Sequence, residues 1–560
     1  MPAKSRILLI LFFTFLRFSA FSQEIPIHFN HPGIYEFLDE LSNQAVISIN
    51  SAIKPYSAKQ IYRYLIEAEQ SKEKLSLRQQ NDLSFYLKQY AIFSKGKQNP
   101  YTNGKGNLMA RTNLNLGFLP YGLHYKDSAF TFSIRPIWGV RYYTGGSFDI
   151  LHTWGGAEAW GFVGNFAIYG SLRDNYQTEI LSFPSYFTQQ EGGNYKINVQ
   201  GRKGGDYSEM RGGVTYGWGW GSLGLVKDHI QWGTAYHGST IFSGRNPSYP
   251  MITLRLNPIK WFELNYLHGW LVSEVIDSSR SYTTSNGDFR GVYRNKYIAA
   301  NLLSFYPFRG VALSFGNSII YSDTNIQPAM LIPIMFFKSL DHTISHGIQN
   351  HNSQMFIDLS IKRIKYLHLY TSLFIDEFSI TRIGDPNRQN FLSFKGGARL
   401  SSWPIKNISL TAEYTRANPV TYKHYIDATT FETNRFNLGY YLRDNSDEIY
   451  LSMEFKPLRG LLIKSEYFVA RHGNEYNYTD GNVAEKLPFM QSVTWKNTSY
   501  ILTSRWEFIH DSWLLVSLTH SNIQGFEVDS KPALYYLDLY TSKPFQGDKT
   551  IITVGLNFGF

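Results

Sequence analysis

Two periodicities divide the chain. Between residues 33 and 91, apolar positions recur at helical spacing, with Ile34, Phe37, Leu38, Leu41 and Ala45 on one stripe. Ser57 with Gln60, and Ser76 with Gln79, have the spacing of capping boxes. Each precedes a further stripe, first Ile61, Tyr64, Leu65 and Ala68, then Leu83, Leu87 and Tyr90. The spacing predicts three short helices in a bundle of about 60 residues, a size near the lower limit for independent folding. The bundle is therefore expected to pack against something larger.

From about residue 108 the period becomes two. Leu108, Ala110, Thr112, Leu114, Leu116 and Phe118 alternate with Met109, Arg111, Asn113, Asn115 and Gly117. Ile408 to Tyr414 and Ile449 to Phe455 repeat the alternation. Successive strand side chains point to opposite faces, so each segment has one apolar and one polar side. A soluble sandwich would show the same alternation with its apolar faces inward. Two features favour a membrane barrel instead. Strand-like segments run on for roughly 450 residues without a helical interlude, enough for about 18 antiparallel strands. Aromatic pairs also sit near strand ends (Tyr142-Tyr143, Trp261-Phe262, Tyr306 with Phe308, Tyr440-Tyr441), as interface girdles do.

The last segment alternates Ile552, Val554, Leu556, Phe558 and Phe560 with Thr553, Gly555, Asn557 and Gly559. It resembles the terminal strand that the assembly machinery of outer-membrane barrels reads. Short breaks at 307–310, 402–406 and 456–460 predict tight turns on one rim. The polar stretches 277–295, 381–389, 420–433, 473–496 and 525–532 predict longer loops on the other, the asymmetry of a barrel whose long loops lie outside the cell.

Composition agrees. The 560 residues include 40 Tyr, 40 Phe and 45 Gly, with only 18% charged residues and no cysteine. Disulfides, thiolate metal sites and a lipidated N-terminal cysteine are thereby excluded. The net charge of +10 is spread without a basic tract, which points to acidic partners such as lipopolysaccharide or an anionic glycan and to no nucleic acid. Residues 1–22 read as a signal peptide: Lys4 and Arg6, an apolar run from Ile7 to Leu16, and Ala20-Phe21-Ser22 for cleavage. That run is too short to span a bilayer, which needs ~20 residues. The expected organisation is a signal peptide over 1–22, a periplasmic helical bundle over 23–100 and an outer-membrane barrel over 101–560.

The stretch from Leu225 to Leu256 carries the most specific chemistry. Gly233, Gly238, Gly244, Pro247 and Pro250 exclude a helix, and Trp232, Tyr236, His237, Arg245 and Asn246 are costly residues for a mere connector. These five are candidates either for glycan binding or for a plug in the lumen. Other chemistry is weaker. His342, His346 and His351 could suggest zinc, but Ser345, Gly347 and Asn350 disfavour the helix such a site needs, so a polar loop and no metal are expected. Asp376 and Glu377 point to opposite faces of a strand and cannot flank one glycosidic bond. Tyr216 to Gly221 places three rings on one face and three glycines on the other, either an outer aromatic face or a sugar-stacking platform. No nucleophile elbow or phosphate loop is present, and neither catalysis nor a cofactor is expected.

The run IQWGTAYHGSTIFSGRNPSYP resembles the corresponding stretch of the Wzi family of outer-membrane capsule-assembly proteins. HPGIYEFLDELSNQAVISINSAIKPYSAKQI with LSLRQQNDLSFYL is similar to that family's helical bundle, and DLSIKRIKYLHLYTSLFIDEF to a later strand pair. HPGIYEFLDEL and KPYS are nearest to the Bacteroidetes branch, which includes gliding-motility proteins of the RemB type. The resemblance implies an 18-stranded outer-membrane barrel that attaches or assembles exopolysaccharide without catalysis. The partners it implies are cell-surface polysaccharide and outer-membrane lipid. Gliding motility and a diffusion channel are the rival roles, with a lipid hydrolase at the lipid-facing rim a third.

Overall fold

The computed structural model describes residues 24–94, 96–104, 106–197, 203–345, 351–478 and 486–559. The segment read as a signal peptide, His346 and the terminal Phe560 lie outside the described residues.

Eighteen antiparallel strands close into one barrel. The first six are β1 (Phe130–Thr144), β2 (Asp149–Val163), β3 (Phe166–Gln177), β4 (Gly205–Trp218), β5 (Gly221–Asp228) and β6 (Tyr249–Ile259). The middle six are β7 (Phe262–Ile276), β8 (Tyr293–Phe308), β9 (Val311–Ser322), β10 (His351–Ile361), β11 (Leu367–Glu377) and β12 (Phe391–Ser401). The last six are β13 (Ile408–Ala417), β14 (Ser446–Phe455), β15 (Leu461–Gly473), β16 (Val493–Ile509), β17 (Ser512–Gly525) and β18 (Gly547–Phe558). Each strand pairs with its neighbour in sequence, and β18 closes on β1 from Ile552↔Thr144 to Phe558↔Trp138. Closure removes the open edges that hydrocarbon could not satisfy.

Which face is apolar separates this barrel from a sandwich. In β14, Ile449, Leu451 and Met453 point outward at 50%, 45% and 47% exposure, while Tyr450, Ser452 and Glu454 are buried on the lumen side. A soluble sheet would bury the first set. Trp261 and Phe308 stand exposed at the short-turn rim, and Tyr216, Trp218 and Trp220 join them there, so the glycine-aromatic run is an outer face. Tyr440 and Tyr441 depart from the girdle expectation. Both are buried inside, and both hydroxyls donate to Glu448 Oε2, at 2.8 and 2.9 Å.

The alternation read from Leu108 to Phe118 does not make a wall strand. It breaks into Asn107–Ala110 and Leu114–Phe118, and Tyr121–Lys126 then pairs with the lower part of β1. Because β18 reaches only as far as Trp138 on β1, residues below that point need another neighbour, and this apron supplies it.

Three N-terminal helices form as the spacing predicts: α1 (Pro32–Asn43), α2 (Ala58–Glu69) and α3 (Leu77–Gln89). Ser76 and Gln79 make the full reciprocal box. Ser57 accepts from the Gln60 amide, but the Gln60 side chain turns away to Tyr64 and Arg255, so that box is half made. The bundle seats in the short-turn mouth of the barrel. Asn43 Nδ2 donates to Ser401 Oγ at 3.1 Å, and the His31 ring meets Asp511 at 2.9 Å. Glu40 accepts from Arg78 Nη1 (3.1 Å), Gln79 Nε2 (2.8 Å) and Lys456 Nζ (3.3 Å). Two further helices, α4 (Phe337–Ser345) and α5 (Ala533–Tyr540), lie in the long loops. The first carries His342 in a segment read from sequence as a loop; it forms because its apolar face packs on the wall, with Phe337 fully buried.

Candidate functional site

An 18-stranded barrel with nothing inside leaves an aqueous channel. Here the chain between β5 and β6, residues 229–248, turns inward and crosses the lumen. Gly233 permits the entry: its φ is +107°, and an added Cβ would meet Ser239 Oγ at 2.6 Å. The Thr234 amide and hydroxyl donate to Asp358 on β10 at 2.7 and 2.8 Å. The Tyr236 and His237 amides donate to Glu413 on β13 at 2.7 and 3.2 Å. Two carboxylates on the far wall thus receive the amides of Thr234, Tyr236 and His237 as the chain crosses.

The other two layers of the plug lock onto this one. From the short-turn side, Gln231 and Trp232 pair as a small sheet with Lys54 and Ile53 of the bundle. From the long-loop side, residues 418–445 fold in, with the Tyr422 hydroxyl donating to Thr240 O at 2.8 Å and the Ser243 amide to Leu438 O at 2.8 Å.

The five sequence candidates divide between sealing and lining. Trp232 is buried edge-on against Phe242. Tyr236 is held between His368 Nδ1 at 2.7 Å, Asn43 at 3.2 Å and the Arg399 guanidinium over its ring at 4.5 Å. Asn246 is buried and bonded to Pro247 O at 2.8 Å. These three belong to the packed plug. His237, stacked on Tyr450 at 4.0 Å and 2.8 Å from Glu448, also borders open space, as does Arg245.

That space is a cavity of about 430 Å³ between the plug and the wall of β15 to β18 and β1 to β4. Its volume falls within the usual range for ligand sites. Hydroxyls of Ser499, Thr503, Thr519 and Thr553 line it together with the rings of Tyr143, Phe187, Tyr441 and Phe468. The lining carboxylates are neutralised: Glu191 by Arg173 at 2.7 Å and Glu466 by Lys464 at 2.9 Å. Two lining cations have no carboxylate within ion-pair distance among the described residues. Arg141 leaves its buried Nε without a hydrogen bond, and Arg245 lies over the Tyr441 ring at 4.2 Å with Nη1 on Gln189 O at 3.4 Å. Residue pattern alone did not mark Arg141 or Tyr441. Strand parity on β1 places Arg141 inside, but Tyr441 enters only through the folding of its loop.

One further cluster borders an adjoining cavity of about 180 Å³. His28, Asp228 and His229 bring potential ligand atoms within 4.8 Å of one another. The Asp228 carboxylate is taken by Arg211, Nε to Oδ1 at 2.6 Å, and by the Tyr169 hydroxyl at 2.8 Å. The two imidazoles share a hydrogen bond of 3.0 Å, and burial lowers both of their pKa values. The pair is neutral near pH 7, and the carboxylate beside it is already paired with a guanidinium. Asp376 and Glu377 face different surroundings: Asp376 accepts from the Tyr422 amide at 2.7 Å, and Glu377 meets Arg382 at 2.6 Å.

Fold and site together define a transmembrane β-barrel whose lumen is crossed by its own loops and which holds a polar, ring-lined cavity of about 430 Å³. Comparison with protein-family models and with curated protein sequences gives no match. Among solved structures, the chain is similar to Wzi of Escherichia coli, described as an outer-membrane protein involved in group 1 capsule assembly and a carbohydrate-binding β-barrel. The identity is 12%, the match covers 96% of this chain and 100% of that one, and the TM-score is 0.54. OccD3 of Pseudomonas aeruginosa is also similar, at 9% identity, covering 83% of this chain and 94% of that one, with a TM-score of 0.42. At 12% identity the likeness to Wzi shows the fold alone.

Proposed function

We propose that this protein is a non-enzymatic outer-membrane barrel that binds cell-surface polysaccharide and takes part in its attachment or assembly. In this reading the long loops face the outside, the helical bundle faces the periplasm, outer-membrane lipid surrounds the wall, and the barrel-assembly machinery inserts it. The observation that carries the reading is the 430 Å³ cavity, with rings to stack on sugar faces and hydroxyls to meet sugar hydroxyls. Its two guanidinium groups without carboxylate partners favour a sugar that brings a carboxylate or another anionic group. Weak contacts of this kind gain strength when one polymer engages many copies. The carbohydrate binding described for Wzi of Escherichia coli supports the same reading.

The test is calorimetric titration of the detergent-solubilised protein with uronate-containing and neutral oligosaccharides. Charge-assisted hydrogen bonds contribute ~1.5–3 kcal/mol each, so the R141Q/R245Q double variant should lose at least about tenfold in affinity for the acidic ligand. Equal affinity for both ligands would end the acidic preference alone. No binding of either would end the glycan reading. A deletion strain scored for both cell-attached polysaccharide and surface spreading separates attachment from the motility role.

A further inference from the structure

One patch of the barrel breaks the rule that its outer positions are apolar and open. On β7 to β10 the register sets which residues share a face. Tyr266, Asn301, Asn317 and Met355 form one row, and Trp270, Tyr297, Tyr321 and His351 another. This is the outer side. The intervening positions face the lumen, as Ser304 shows by accepting from Asn50 of the bundle at 3.4 Å. Outer positions elsewhere are half exposed, whereas Asn301, Tyr321 and His268 are at 0%.

What covers them is the chain after β9. Residues 328–337, PAMLIPIMFF, contain no charged or hydrogen-bonding side chain. They run down the outside of the wall, and side chains of the wall satisfy their backbone. Tyr266 donates to Met330 O at 2.8 Å, and Asn301 Nδ2 to Pro333 O at 3.1 Å and Met335 O at 2.8 Å. The Phe337 amide donates to Asn317 Oδ1 at 2.8 Å. Internal turns take the amides of Met330, Ile332 and Met335, and Pro328 and Pro333 have none to offer. Irregular backbone survives at membrane depth only when protein groups satisfy it, and these bonds do so for the amides of Met330, Ile332, Met335 and Phe337 and the carbonyls of Met330, Pro333 and Met335. Its remaining side chains point away from the wall, with Leu331 at 40%, Ile332 at 40%, Ile334 at 68% and Phe336 at 48% exposure.

The register also sets the depth. Asn301 lies four residues above Phe305, which pairs with Phe262 beside the short-turn rim. Four residues span ~13 Å along the strand, which at a barrel strand's tilt of ~40° is about 10 Å of height. An apolar belt about 25 Å tall has its middle near that level.

We infer that residues 328–337 form a membrane-embedded strip on the outside of the barrel, whose partner is the acyl chains of the surrounding lipid. The outer asparagines and tyrosines exist to hold its backbone, and the strip in turn shields them from hydrocarbon. The strip thus gives this sector of the wall a second outer layer whose exposed side chains, Leu331, Ile332, Ile334 and Phe336, are apolar. The inference is independent of the glycan reading.

The chain has no cysteine, so a single introduced thiol carries a unique nitroxide label. Ile334→Cys and Leu331→Cys, labelled and reconstituted in phospholipid vesicles, are compared with Leu451→Cys on the open outer wall and Ser285→Cys in an exposed loop. Heat-modifiable mobility on gels confirms that each variant has folded. The expected result is that both strip positions match Leu451→Cys, with high oxygen and low nickel-chelate collision rates and a ratio several-fold above that of Ser285→Cys. Nickel access equal to that at Ser285→Cys would place the strip in water and overturn the inference. Protection from both reagents would put a second copy or another protein on the strip and overturn the lipid assignment.

Discussion

Replacing Glu40 by alanine is expected to loosen the helical bundle from the barrel by ~3–5 kcal/mol, the cost of breaking one partner out of a buried ionic network. Glu40 is 2% exposed and joins three bodies: Arg78 and Gln79 of α3, Lys456 of a barrel turn and, through Ser402, the next turn. Removing it leaves the Arg78 guanidinium, itself 6% exposed, with Asp82 as its one ion partner among the described residues. Protease cutting of the bundle along a urea series measures the change, and an unaltered midpoint would refute this account of the docking. The same residue sets a pH dependence. Burial alone would raise its pKa, but Lys456 and Arg78 outweigh burial and hold it at about 2, against an ordinary value of 4.5. Its contribution is therefore full above pH 4.5 and is lost as acidification proceeds toward pH 2. Asp82, whose pKa burial raises, contributes with the opposite sign and softens the slope. Glu40→Gln should remove most of the acid sensitivity.

Replacing residues 234–243 by a Gly-Ser linker is expected to convert a closed protein into one that conducts in discrete steps across a planar bilayer. The segment is the middle layer of the plug, and both other layers rest on it, through Tyr236 with Asn43 of the bundle below and through Thr240 and Ser243 with Tyr422 and Leu438 above. Without it, Asp358 and Glu413 line water instead of accepting backbone amides, and Lys395 loses the His237 carbonyl to which its ammonium donates, in a barrel wide enough to hold a continuous column. A native protein that already conducts ions freely would sink the plugged-lumen reading and favour the diffusion channel.

Much of this architecture was legible because its causes are local. Alternation in Ile449 to Phe455 tracks a strand with one face in lipid, and the same reading holds for β13 and β18. Helical stripes and the Ser76 cap report the bundle for the same reason. The glycines and prolines of 229–248 marked a built loop, and its bulky residues marked that the loop touches something. What it touches was not legible. Tyr236 meets Asn43, His368 and Glu413, residues 193, 132 and 177 positions away.

Where local pattern misled, a distant partner was the cause. Tyr440-Tyr441 has the composition of a girdle, yet a buried carboxylate on β14 draws both rings inside. Register puts Asn301 and Asn317 on the outside, under an apolar strip that no local pattern foretold. Sequence by itself determined that this chain makes a closed, lipid-facing wall with a helical appendage, because side-chain period and turn chemistry depend on neighbours a few residues away. Tertiary structure alone decided that the lumen is blocked, which cations face its cavity without carboxylate partners, and which loop lies against the outer wall. Those outcomes depend on pairing across hundreds of residues, and no local period encodes it.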